Sequence, residues 1–118
     1  MPADRMRRVN EALREVLSAR IAGGVKDPRV GFVTVTAVDT SPDLRHARVY
    51  VSVLGDEEER AETMAGLESS RGFLQAGIAR ELRIKHTPAL VFARDEALER
   101  GMRISQLLDE VDEERRES

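Results

Sequence analysis

Residues 32–54 read FVTVTAVDTSPDLRHARVYVSVL. Two runs in this stretch alternate apolar and polar side chains with a period of two, as half-buried strands do. Over 32–39, Val33, Val35 and Ala37 share one face, with Thr34 and Thr36 on the other. Over 45–54, Ala47, Val49, Val51 and Val53 point inward, while His46, Arg48, Tyr50 and Ser52 point outward. Between the runs, Asp39-Thr40-Ser41-Pro42-Asp43 supplies turn chemistry: Pro42 restricts φ, and the Asp and Ser side chains can bond the local backbone. The stretch is an antiparallel hairpin with one apolar and one solvated face. The apolar face needs cover, and the flanking sequence provides it.

Upstream, Met6, Val9, Leu13, Val16, Leu17 and Ile21 recur at three- and four-residue steps, which predicts an amphipathic helix over about 4–22. Gly23-Gly24 stops it, and Asp27-Pro28-Arg29 makes a connector. Downstream, Gly55 ends the hairpin, and Asp56 with Glu59 has the spacing of a capping box. A helix then runs through Met64 and Leu67 to Ser70-Arg71-Gly72, and resumes with Phe73, Leu74, Ile78 and Leu82 on its buried side. Gly72 and Gly77 each cost about 1 kcal/mol against alanine inside a helix, so a kink or a close backbone approach is expected there. Pro88 and the short run Ala89–Ala93 predict a third strand, free to return parallel because a helix intervenes. Met102, Ile104, Leu107, Leu108 and Val111 suggest a short last helix.

The order is helix, strand, strand, kinked helix, strand, which makes an α+β domain: a three-stranded sheet with helices on one face. At 118 residues the chain fits one compact domain, assigned to residues 1–111. Residues 112–118 (DEERRES) carry no apolar side chain and are expected to be a charged, disordered tail.

The absence of cysteine excludes disulfides and thiolate metal sites. No apolar block follows Arg5, Arg7 and Arg8, so no secretory signal is read, and no apolar run reaches the ~20 residues that span a bilayer. The expected compartment is the cytoplasm, with no membrane partner. His46 and His86 stand forty residues apart without triad or metal-site neighbours, and no Gly-rich phosphate loop of nucleotide-binding type is present. The expectation is a protein without catalytic residues, metal, cofactor or small-molecule substrate.

The net charge of −3 conceals segregation. Residues 1–30 hold seven Lys/Arg against four acids, and residues 70–94 hold five against one. Residues 55–69 hold one against six, and residues 95–118 four against nine. Two basic segments on an acidic chain can build a local positive surface. At Ser70-Arg71-Gly72 a fresh helix N-terminus could receive phosphate, and Arg80, Arg83 and Lys85 follow in the second arm. Arg7, Arg8 and Arg14 on the first helix would extend the track if they border the same groove. A bland kink beneath a solvated basic face fits these residues equally well. With aromatic residues at only 3%, base stacking is a poor fit, and recognition would rest on phosphate and RNA shape.

Several pieces, in order, resemble the bacterial ribosome-binding factor A family. They are Arg7-Arg8-Val9-Asn10, Asp27-Pro28-Arg29, Val33-Thr34-Val35-Thr36, the run from Asp43 to Val53, the run from Leu82 to Phe92, and Arg103-Ile104. The resemblance covers about residues 3–108. It implies a KH-like domain of α-β-β-α(kinked)-β order, in which Ser70-Arg71-Gly72 replaces the usual Gly-x-x-Gly loop. It also implies binding to the free small (30S) ribosomal subunit and its 16S rRNA, a part in late rRNA processing, and importance in the cold. A monomer is expected, since no large apolar patch remains once the core is assigned. The competing reading is a small protein-interaction or regulatory domain without RNA contact.

Overall fold

The computed structural model describes residues 2–101 together with Leu108, Val111, Glu113 and Glu114. Its elements are α1 (Pro2–Ala22), β1 (Val33–Thr40), β2 (His46–Val53), α2 (Glu57–Ser69), α3 (Arg71–Glu81) and β3 (Ala89–Arg94). The sheet order is β1-β2-β3, with β1 antiparallel and β3 parallel to the central β2. The order and layering are those of a KH-like α+β domain.

One face of the sheet carries the core. Leu13, Val16, Leu17 and Ile21 of α1 meet Val35, Val38, Ala47, Val49, Val51 and Val53 of the hairpin. Leu67, Leu74 and Ile78 of the kinked helix join them, with Leu90 and Phe92 of β3. Polar ties fix the helices over the strands. The Thr40 N–H donates to Asn10 Oδ1 at 2.9 Å, and the Leu90 N–H donates to Gln75 Oε1 at 3.2 Å.

The alternation in β1 breaks where the sequence reads as regular. The register shifts between Val35 and Ala37, so Thr36 is an extra residue and the faces exchange beyond it. Ala37 is therefore exposed, not inward, and Val38 and Thr40 are buried. The Thr36 hydroxyl lies 3.2 Å from the Tyr50 carbonyl and 2.9 Å from Asp95 Oδ2, which supports the bulge from both sides. Ser52, read as outward and solvated, is buried. A helical segment over residues 96–101 follows β3, and its Glu99 accepts from the Val53 N–H at 3.4 Å, beside Ser52. Phe73, read as a core residue, is 47% exposed.

The motifs at the element ends behave as their chemistry requires. Gly24 (φ 112°) and Gly55 (φ 121°) take backbone angles that side chains disfavour. Asp56 and Glu59 form the reciprocal capping box: the Glu59 N–H donates to Asp56 Oδ1 at 2.8 Å, and the Asp56 N–H to Glu59 Oε1 at 3.3 Å. In Asp27-Pro28-Arg29, the Arg29 guanidinium donates to both Asp27 oxygens and to Ser69 Oγ at 2.8 Å. That side-chain pairing, reinforced by the Arg29 N–H, holds the Asp27 carboxyl down to about 2. The Thr63 hydroxyl completes the staple by donating to the Arg29 carbonyl at 3.2 Å. The connector is thus pinned onto α2.

Of the last helix read from sequence, Met102, Ile104 and Leu107 lie outside the described residues, while Leu108 and Val111 are helical and exposed. Of the charged tail, Glu113 and Glu114 are helical and exposed.

Candidate nucleic-acid interface

The break between α2 and α3 is a single residue. Ser70 closes α2 and opens α3 with φ −92° and ψ 3°. Its hydroxyl donates back to the Gly66 carbonyl at 2.9 Å, so Ser70 is buried in the bend and shapes it. Arg71 folds onto Glu68 of α2, which compensates its charge locally. Gly72 is different: a Cβ there would meet nothing within 4 Å. Its missing side chain leaves open surface, and the close approaches occur elsewhere. A Cβ on Gly66 would lie 2.7 Å from Val30 Cγ2, and one on Gly77 would lie 2.8 Å from Arg20 Nε.

Arg20 is where the two basic segments meet. From α1 it donates to Glu81 Oε1 at 3.0 Å, and its guanidinium lies 6.0 Å from the Phe73 ring centre, within cation–π range. This explains the exposure of Phe73: its ring props an arginine in place of filling the core. Arg80 stands seven residues after Phe73, on the same stripe of α3. Arg80, Arg83 and Lys85 are exposed and make no ion pair among the described residues. Arg80 lies in the last turn of α3, whereas Arg83 and Lys85, read from sequence as part of that helix, follow its end at Glu81 in the connector to β3.

The arginines of α1 divide. Arg7 and Arg14 share a stripe and border a cleft of about 430 Å³ against Thr36, Ala37 and Val38 of β1. Asp4 pairs with Arg7 at 3.6 Å, and Glu11 pairs with Arg14. The hydrogen bonds of that second pair hold the Glu11 carboxyl below its usual range and make Arg14 harder to deprotonate. Arg8 is exposed and lies about 100° around the helix from Arg7. Arg7 and Arg14 therefore face β1 with their charge matched, while Arg8 makes no ion pair among the described residues.

His46 and Arg48, which alternation puts on the outward strand face, and the neighbouring Arg45 are all exposed. Parallel pairing places His46 opposite Ala89 and Arg48 opposite Val91, and the Ala89 N–H donates to the Arg45 carbonyl at 2.8 Å. The start of β2 thereby adjoins the end of the connector that leads from Lys85 into β3. Asp43, 4.0 Å from Arg45, and Asp39, in register with Arg48, moderate the charge there. Only the strand order reveals this neighbourhood.

The model of the ribosome-binding factor A family matches residues 5–108. The chain belongs to this family. A ribosome-binding factor A from Halothermothrix orenii is 48% identical over 114 residues, covering 97% of this chain and 93% of that one. The crystal structure of ribosome-binding factor A from Thermus thermophilus superposes with a TM-score of 0.67 at 29% identity, covering 75% of this chain and 94% of that one. A homology model of the Thermus thermophilus ribosome-binding factor A, fitted into a cryo-EM map of a 30S complex, gives a TM-score of 0.61 at 31% identity. It covers 74% of this chain and 91% of that one. Among the described residues of this chain, no helix is long and apolar enough to cross a membrane.

The two glycines of α3 should respond differently to alanine. Gly72→Ala fills open space and should raise the thermal midpoint by about 2 °C through helix propensity. It should also weaken small-subunit binding about tenfold if a phosphate backbone packs on that face, an effect read by sedimentation. Gly77→Ala displaces the Arg20 head from Glu81 and Phe73, a loss that offsets the helix-propensity gain and should leave the midpoint close to the parent's.

Proposed function

We propose that this protein is a non-enzymatic assembly factor that binds the free small (30S) ribosomal subunit through its 16S rRNA and assists late rRNA maturation. It acts as a cytoplasmic monomer, folded as one domain through residue 111. The observation that carries the reading, beside family membership, is the uncompensated cluster of Arg80, Arg83 and Lys85 following the open Gly72.

These cations neutralise phosphates on a structured RNA element, releasing counterions. The open helix surface at Gly72 lets the sugar–phosphate backbone approach without a Cβ in the way. Bound protein favours the RNA arrangement that matches its surface, by as much as its affinity differs between arrangements. Competing RNA structures persist longest in the cold, so the need for such a binder is greatest at low temperature.

The test is sedimentation of the purified protein with isolated ribosomal subunits across a salt series. Binding to the small subunit alone is expected, with a log–log salt slope of roughly −0.7 to −0.9 per phosphate neutralised. Salt-insensitive binding, or none to either subunit at low salt, would overturn the reading.

A further inference from the structure

The least buried large apolar side chain among the described residues is Phe32, 82% exposed. It stands beside Leu54, 52% exposed, whose N–H donates to the Phe32 carbonyl at 3.4 Å. The two line an open cleft of about 440 Å³ whose other wall includes Glu59 and Glu62 of α2. The core does not require either apolar side chain here, since both lie past the buried ends of their strands.

Glutamates outnumber the single cation among the residues that line this cleft. That cation is Arg29, and its guanidinium is committed to Asp27 and Ser69. Glu59 has one oxygen in the capping box. Glu58 and Glu62 have no ion-pair partner among the described residues and are exposed. Phosphates would be repelled by this face, while lysine and arginine would be attracted. The kink at Ser70 thus separates an acidic arm with an apolar cleft from a basic arm.

We infer that the Phe32–Leu54 cleft docks a lysine- and arginine-rich polypeptide segment of a protein component of the small subunit. The inference rests on the subunit-binding reading above. Apolar contacts with Phe32 and Leu54 anchor the segment's aliphatic stems, and the glutamates of α2 match its charge. The protein then holds the subunit at two chemically distinct places: RNA on the basic arm, and basic protein on the acidic one.

The test uses the full chain and purified small subunits. The double variants Phe32→Ser/Leu54→Ser and Glu58→Lys/Glu62→Lys should each bind about tenfold more weakly, as loss of an anchor contact does; the midpoint of the first should be unchanged, and that of the second should fall only by the few degrees that a reversed charge in the first turn of α2 costs. A benzophenone photo-crosslinker at position 32 should attach to a Lys/Arg-rich segment of a subunit protein. Variants that bind like the parent, a crosslink to rRNA, or no crosslink in the bound state would each overturn the cleft assignment. Failure of the parent chain itself to bind the subunit would instead overturn the reading beneath it.

Discussion

Replacing Arg80, Arg83 and Lys85 together by Glu is expected to weaken small-subunit binding about a hundredfold or more, and to flatten the log–log salt dependence by roughly 2 to 3, one phosphate contact per cation. The same variant should move the thermal midpoint by no more than about 5 °C, because the three side chains are exposed and the main cost is an acid at Arg80, in the last turn of α3. All three side chains are exposed and make no ion pair among the described residues, so their removal breaks nothing internal. Reversing Arg7 and Arg14 should have a smaller effect on binding, since Asp4 and Glu11 already answer their charge. Sedimentation and a thermal melt on the same samples decide the matter. A midpoint that collapses with affinity would make the cluster structural and remove it from the interface.

Arg94→Ala is expected to be the most damaging single change outside the core. Arg94 donates to Glu99 at 2.7 Å and to Glu57 at 3.0 Å, and these bonds hold its proton more tightly than usual. Glu99 is only 7% exposed. Removing the arginine leaves that carboxylate buried without its counter-charge, which costs about 2–3 kcal/mol at a site partly open on the arginine side. For a chain of this size, the midpoint should fall by roughly 8–12 °C. Adding Glu99→Gln should recover part of the loss, because a neutral amide needs no counter-charge. Absence of any recovery would show that Arg94 acts through packing alone. The network joins α2, β3 and the helical segment after it, so its loss should also loosen the cover over Ser52.

Most of the fold is legible in the local sequence because it follows from periodicity. Val33–Val35 and Ala47–Val53 alternate, Leu13 to Ile21 recur at helical steps, and Asp56 with Glu59 spells a capping box that the structure contains. The errors fall where one element meets another. Ala37 reads as inward, yet a bulge at Thr36 turns it out. Phe73 reads as core, yet it supports Arg20 on the surface. Ser52 reads as solvated, yet residues beyond β3 help to cover it. Each reversal depends on a partner dozens of residues away in the chain, which no short-range pattern records.

The candidate site divides along the same line. The sequence by itself determined that basic and acidic segments alternate, that the long helix breaks at Ser70-Arg71-Gly72, and that Arg80, Arg83 and Lys85 follow the break. Composition and spacing are properties of the chain, so they survive without a fold. Only the tertiary structure decided that Ser70 faces inward, that Arg7 and Arg14 turn to β1 with their charge matched, and that Arg45 and His46 meet the start of β3 at Ala89. It alone placed Phe32 and Leu54 together beside the acidic helix. Electrostatic surfaces and clefts are sums over neighbours in space, and strand pairing and helix packing choose those neighbours.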